Sequence, residues 1–89
     1  MQNEVKARIN IKKHRISFTE AVTVFIDPQA LRIFDPDHSA HEDRWVLLGL
    51  SSIHRYLVVI HVEKDEDVIR VVSARKANKI EIKKYLESL

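Results

Sequence analysis

The sequence predicts an α+β fold, with N-terminal helices and a C-terminal helix packed on an antiparallel sheet of three or four strands. Two observations predict it. Apolar residues recur at helical spacing after Ser17 and again after Asn78, near the two ends of the chain. Between them, β-branched and aromatic runs follow one another across short polar turns, which suits an antiparallel meander better than a parallel sheet with long crossovers. Helices kept apart from strands along the chain then pack on the sheet rather than alternate with it. At 89 residues the chain is expected to form one small domain, burying roughly 60–65% of its unfolded surface.

Residues 4–13 are plausible as a weakly amphipathic helix. Ser17-Phe18-Thr19-Glu20 reads as a capping box, with Ser17 accepting from the Glu20 N–H and the Glu20 carboxylate reaching back to the Ser17 N–H. Phe18, Ala21, Val22 and Phe25 follow at i, i+3, i+4, i+7 and should face the core. Asp27-Pro28 ends this helix, because a residue before proline avoids the α region. Strands are expected over residues 30–34, 44–50 (with Gly49 near its end), 55–62 and 68–74, the third central and buried. Glu63-Lys64-Asp65-Glu66-Asp67 reads as a polar turn. Residues 78–89 read as a helix presenting Ile82, Tyr85, Leu86 and Leu89 on one face.

Composition narrows the function classes. With 45% hydrophobic residues the chain can fold unaided, and with no cysteine it can use neither disulfides nor thiolate-bound zinc. The longest apolar run, Tyr56 to Ile60, is far short of the roughly 20 residues of a membrane span. Without an apolar signal segment, a cytoplasmic location and no membrane partner are expected. The net charge is only +2, but residues 1–15 and 70–84 together hold eleven basic and two acidic side chains. If those segments meet, they give a positive face suited to phosphate or an acidic partner. The ordinary alternative is two solvated helices.

RNA cleavage needs no cofactor. The ribose 2′-OH can attack its own phosphodiester, provided side chains move two protons and stabilise the charge gained at phosphorus. Arginine suits the last task, because its fork stays charged and binds phosphate oxygens in pairs; histidine, lysine and tyrosine suit the first. The candidates are Arg44, Arg75, Lys64, Lys13, His14 and Tyr85. Four of them have a structural alternative: a Glu42 pair for Arg75, an Asp35 or Asp43 pair for Arg44, a structural hydrogen-bonding role before the helix cap for His14 and the core for Tyr85. Asp35, Asp37, His38, His41 and Glu42 offer metal-ligand types in close sequence, but Pro36 and Ser39 favour a charged loop over a metal site. No recognition helix or stacking pair points to sequence-specific DNA binding.

The run Lys6-Ala7-Arg8-Ile9-Asn10 through Lys13-His14-Arg15-Ile16-Ser17-Phe18-Thr19-Glu20-Ala21 resembles the N-terminal signature of BrnT-type toxins. Phe25-Ile26-Asp27-Pro28, the acidic loop with His38-Ser39 and Glu42-Asp43-Arg44, and Ile69-Arg70-Val71-Val72-Ser73-Ala74-Arg75-Lys76-Ala77 are similar to that family's later landmarks, and Glu81 and Tyr85 fall where its final helix has them. The resemblance spans nearly the whole chain. It implies a RelE-like fold and a metal-independent ribonuclease that halts translation. It also implies a BrnA-type ribbon-helix-helix antitoxin, through which alone operator DNA would be engaged. By position it makes Arg44, Arg75, Lys64, His14 and Tyr85 catalytic candidates, and Lys12, Lys13, Arg70 and Lys76 RNA-binding ones. Two departures stand out. The family's first strand, roughly Phe-Glu-Trp-Asp, is expected to be missing, since only Met1 to Val5 precede Lys6; a misassigned gene start or a weakened toxin that binds without cleaving are the readings this opens. Arg15 stands where a glycine is expected after Lys13-His14, which would cost about 1 kcal/mol if the position needs positive φ.

Overall fold

The computed structural model describes residues 3–65 and 68–89, with 64 and 65 described by backbone alone. Helix α1 spans Glu4–His14 and α2 spans Phe18–Thr23, running into a 3-10 turn at Val24–Ile26. Strand β1 (Leu31–Phe34) is followed by a second 3-10 turn, Pro36–His38. Then come β2 (Asp43–Leu50), β3 (Tyr56–Asp65), β4 (Val68–Lys76) and helix α3 (Lys79–Glu87). The strands lie in the order β1-β2-β3-β4, each antiparallel to its neighbour. The expected α+β class and antiparallel meander are what the chain adopts.

Helix α1 starts at Asn3, whose side chain accepts from the backbone N–H groups of Val5 and Lys6 at 2.9 and 3.1 Å. It stops at Arg15, which takes the left-handed conformation at φ 61°. This is the geometry that favours glycine, and arginine adopts it at a cost of about 1 kcal/mol. Asn10, 3% exposed, anchors the helix: its amide donates to the carbonyls of Ile16 and Ala74 at 2.8 Å each and accepts from the Ala74 N–H at 2.9 Å. The two basic segments therefore do meet, along the outer edge of β4.

Ser17 caps α2 as expected, accepting from the Glu20 N–H at 3.0 Å. The other half of that capping box is not made. The Glu20 carboxylate instead takes a hydrogen bond from the Ser51 hydroxyl at 2.7 Å and from Nε of Arg55 at 2.9 Å, with a further ion pair to the same guanidinium. The expected apolar face also shifts. Val22 is 40% exposed, whereas Val24 is fully buried, because the chain tightens at residue 24 and three residues per turn carry Ala21 onto Val24. Just beyond, Asp27 ties three elements together, with Oδ2 accepting from the Leu50 N–H at 2.9 Å and the Tyr85 hydroxyl at 2.6 Å, and Oδ1 from the Gln29 N–H. Gly49 permits this crossing: a Cβ there would lie 2.9 Å from Val24 Cγ1 and 3.0 Å from both Ala30 Cβ and Asp27 Oδ2.

Side chains alternate across the sheet. Leu57, Val59, Val71 and Ala74 meet Ile16, Phe18 and Ala21 on the face covered by α1 and α2. Leu48 and Val58 meet Tyr85 on the face covered by α3. Two strands run longer than expected, β3 through Asp65 and β4 through Lys76, so Glu63 lies in a strand and not in a turn. It is retained there because Arg32 and His61 hydrogen-bond it, at 2.6 and 2.9 Å. Helix α3 is shorter than expected: Tyr85 enters the core, whereas Leu86 and Leu89 are 46% and 66% exposed. Its start carries the complete capping box of the described residues, Asn78 accepting from the Glu81 N–H at 2.8 Å and Glu81 from the Asn78 N–H at 2.9 Å.

Candidate functional site

Helix α3 covers only one end of its face of the sheet, and at the other Val62, 1% exposed, lies beneath the segment between β1 and β2. Beyond α3, Ile33, Val46 and Ile60 form a cross-strand row, and Arg44, Val62 and Arg70 form the next, paired in register across β2, β3 and β4. Two interstrand spacings set the Arg44 and Arg70 backbones about 10 Å apart with Val62 between them. Arg75, paired with Val58, shares the face four residues back along β3.

The three guanidinium groups differ in their partners. Arg75 makes a two-pronged contact with Glu81, both bonds 2.8 Å. Arg70 reaches Glu42 at 2.8 Å. Arg44 takes part in no ion pair among the described residues, and its Nε is buried without a hydrogen-bond partner. The alternative pairs foreseen for Arg75 with Glu42, and for Arg44 with Asp35 or Asp43, are thus not the ones adopted. The Arg75 fork holds the Glu81 carboxyl below its usual range.

The segment between β1 and β2 walls this row. A cavity of about 220 Å³ is lined by His38, Ala40, His41, Glu42, Arg44 and Val62. Its shape is fixed by backbone-level pins. The Asp35 N–H donates to the Arg44 carbonyl at 2.9 Å, the Ser39 hydroxyl donates to the Asp35 carbonyl at 2.5 Å, and the Arg44 N–H donates to the Ser39 hydroxyl at 2.9 Å. His38 Nδ1 lies 2.8 Å from Asp35 Oδ2. Among the described residues no three potential ligands gather as a metal site would require.

The remaining candidates lie elsewhere. Tyr85 is 4% exposed and its hydroxyl is committed to Asp27; burial, then that carboxylate, push its pKa up to about 12. Lys12, Lys13 and His14 close α1 at the outer edge of β4, where Lys13 and His14 line a cavity with Val72 and Ser73, and Lys76, paired with Leu57, lies on the face opposite α3. The Lys64 side chain lies outside the described residues. The sequence reading weighed His38 and His41 only as metal ligands; their place beside Arg44 depends on the Ser39 pins, which no local pattern announces.

A second constellation occupies the α1/α2 face. The Arg32 guanidinium stacks 3.6 Å from the Trp45 ring centroid and pairs with Glu63, while fully buried His61 bonds Glu63 and packs edge-on against Phe25. Burial pushes the His61 imidazole below its ordinary pKa against the opposing pull of Glu63. Arg32, His61 and Glu63 pair with one another, whereas Trp45 Nε1 and His61 Nδ1 are buried without a hydrogen-bond partner.

The family model described as the ribonuclease toxin BrnT of type II toxin–antitoxin systems matches residues 3–81. The crystal structure of the Brucella abortus ribonuclease toxin BrnT superposes with a TM-score of 0.66 at 21% identity, covering 89% of this chain and 95% of that one. No curated protein matches the chain. No helix among the described residues is long and apolar enough to cross a membrane.

Proposed function

The chain belongs to the BrnT family of type II toxin–antitoxin ribonuclease toxins, and from that premise we propose that it cleaves RNA on the open part of the α3 face, with Arg44 and Arg70 as the phosphate clamp. The carrying observation is the Arg44–Val62–Arg70 row beside a walled cavity. An attacked phosphodiester gains negative charge in its transition state, and preorganised guanidinium groups stabilise that charge most where water is partly excluded. Arg44 is the stronger member, since no carboxylate must be displaced before it binds. Arg75 acts at the far end of the face, where a phosphate would have to exchange with Glu81. Lys12, Lys13 and Lys76 would contact flanking phosphates, with Lys64, His14 and Tyr85 as lesser candidates; Tyr85 enters the chemistry only if its bond to Asp27 opens. The family carries an antitoxin partner and an RNA target. We take the antitoxin to be of the BrnA ribbon-helix-helix type, and the outcome of cleavage to be arrested translation in the cytoplasm.

The test is cleavage of an end-labelled RNA by purified protein, with and without EDTA, beside Arg44→Ala and Arg75→Ala variants of verified fold. Cleavage that survives EDTA and falls by about 10²-fold in Arg44→Ala is the expected result. Intact RNA from folded protein would instead point to a module that binds without cleaving.

A further inference from the structure

We propose that His38 is the general base of this site and that Asp35 is the residue that positions it; the proposal rests on the ribonuclease reading above. An ionised carboxylate only accepts hydrogen bonds. With Asp35 Oδ2 at 2.8 Å, Nδ1 must therefore carry the proton, which leaves Nε2 with its lone pair free. A carboxylate behind an imidazole fixes the ring's tautomer and orientation. The ring is not a stray surface group. It lines the same cavity as Arg44, and the Ser39 hydroxyl pins its turn to the strand that carries Arg44. Proton acceptor and phosphate-binding cation are thus linked by hydrogen bonds within one short stretch of chain.

Nε2 of His38 takes the proton of the ribose 2′-OH as the 2′-oxygen forms its bond to phosphorus. The bond from phosphorus to the 5′-oxygen of the next nucleotide breaks, and that oxygen leaves with the bonding pair and takes a proton from water. His38 later returns its proton to the hydroxide so formed. The products are a 2′,3′-cyclic phosphate and a 5′-hydroxyl. Among the described residues the charged and titratable groups around His38 are Asp35 behind it, Asp37 in its own turn, His41 and Glu42 across the cavity, and Arg44 from β2.

The experiment is single-turnover cleavage across pH for the parent, His38→Ala, His38→Gln, Asp35→Asn and His41→Ala. His38→Ala and His38→Gln are expected to lose about 10²-fold or more in rate, with KM little changed and the acidic limb of the profile gone. The His38 side chain is 65% exposed, so added imidazole is expected to restore part of the His38→Ala rate, which a merely structural role would not allow. Asp35→Asn is expected to lower the plateau, because an amide can present either its oxygen or its NH2 to Nδ1 and no longer fixes the tautomer. His38 variants that cleave with the parent's rate and profile overturn the proposal and leave the ribonuclease reading standing, as does a His41→Ala variant that alone removes the acidic limb. A parent that leaves RNA intact overturns both.

Discussion

Replacing Asn10 with alanine should be among the most damaging single changes to the fold. Its side chain makes three hydrogen bonds at 2.8–2.9 Å, all to backbone groups, and it is 3% exposed. Truncation leaves the Ile16 carbonyl and both polar backbone groups of Ala74 without this partner, in a place water barely reaches. Each bond contributes about 1 kcal/mol net, and each buried group left unpaired costs about 1–3 kcal/mol, less for a carbonyl than for an N–H. A loss of about 3–4 kcal/mol is expected, against a total of about 4–13 kcal/mol for a chain of this length. In a thermal melt that is a fall of roughly 12–30 °C. Two further variants separate the causes. Asn10→Leu restores volume but no polar partner and should be nearly as unstable. Asn10→Asp keeps an acceptor for the Ala74 N–H but turns a carboxylate towards two carbonyls, so its folded-state pKa is raised above the unfolded one. Its stability should then be greatest at acid pH and be lost as pH rises through the raised value. A loss under about 1 kcal/mol for Asn10→Ala, or an Asn10→Asp variant insensitive to pH, would refute this account of how α1 is held on β4.

Gly49→Ala should cost about 1–3 kcal/mol by overpacking, since the new methyl meets Val24, Ala30 and Asp27 at 2.9–3.0 Å; an unchanged denaturation midpoint would mean that the Val24–Ile26 turn moves aside freely. Glu20, Asp27, Glu63 and Glu81 all have folded-state pKa values below their ordinary ones. The stability they contribute is full above the unfolded carboxylate range and should be lost as pH falls below about 4; in Glu20→Gln, which removes the partner of Arg55, denaturant titrations should show a shallower acid loss. Tyr85 works in the opposite direction: its pKa rises from 10.0 to about 12, so its contribution is present below pH 10 and should be lost between those values. Tyr85→Phe should flatten that alkaline decline in urea midpoints measured at pH 9 and 11.5. For binding of a non-cleavable 2′-O-methyl RNA, Arg44→Ala and Arg70→Ala should each lower the slope of log K against log salt by about 0.7; unchanged slopes would remove both from the phosphate path.

Most of the fold was legible because it rests on local chemistry: Ser17 as a cap, Asp27-Pro28 as a stop, the runs of β-branched residues, Gly49 within a strand. What misled was governed by partners distant in sequence. The Glu20 carboxylate is next to a cap that fits it, yet Arg55 and Ser51 offer a charged, partly buried alternative that outweighs one backbone N–H. Glu63 looks like a turn residue until Arg32, from a strand two places away in the sheet, neutralises it.

The site was legible in its residue types but not in its grouping, and the reason is a single irregularity in β4. Strict alternation puts residues an odd number apart on opposite faces, so Arg70 and Arg75 read as pointing to opposite sides of the sheet. Between them the register slips: Ser73 pairs with Ile60 and Val71 with His61, leaving Val72 without a partner in register. That bulge reverses the parity. It turns Arg70 to the face that already holds Arg75, and seats it across Val62 from Arg44. Charge counting located two basic segments, whereas the bulge determines which of their charges share a face. It brings Arg70 to the α3 side beside Arg75 and Arg44, while Lys76 lies on the other with α1. A stretch with two alternations of different phase joined by one extra residue gives no signal in composition, because Val72 is as ordinary a strand residue as its neighbours.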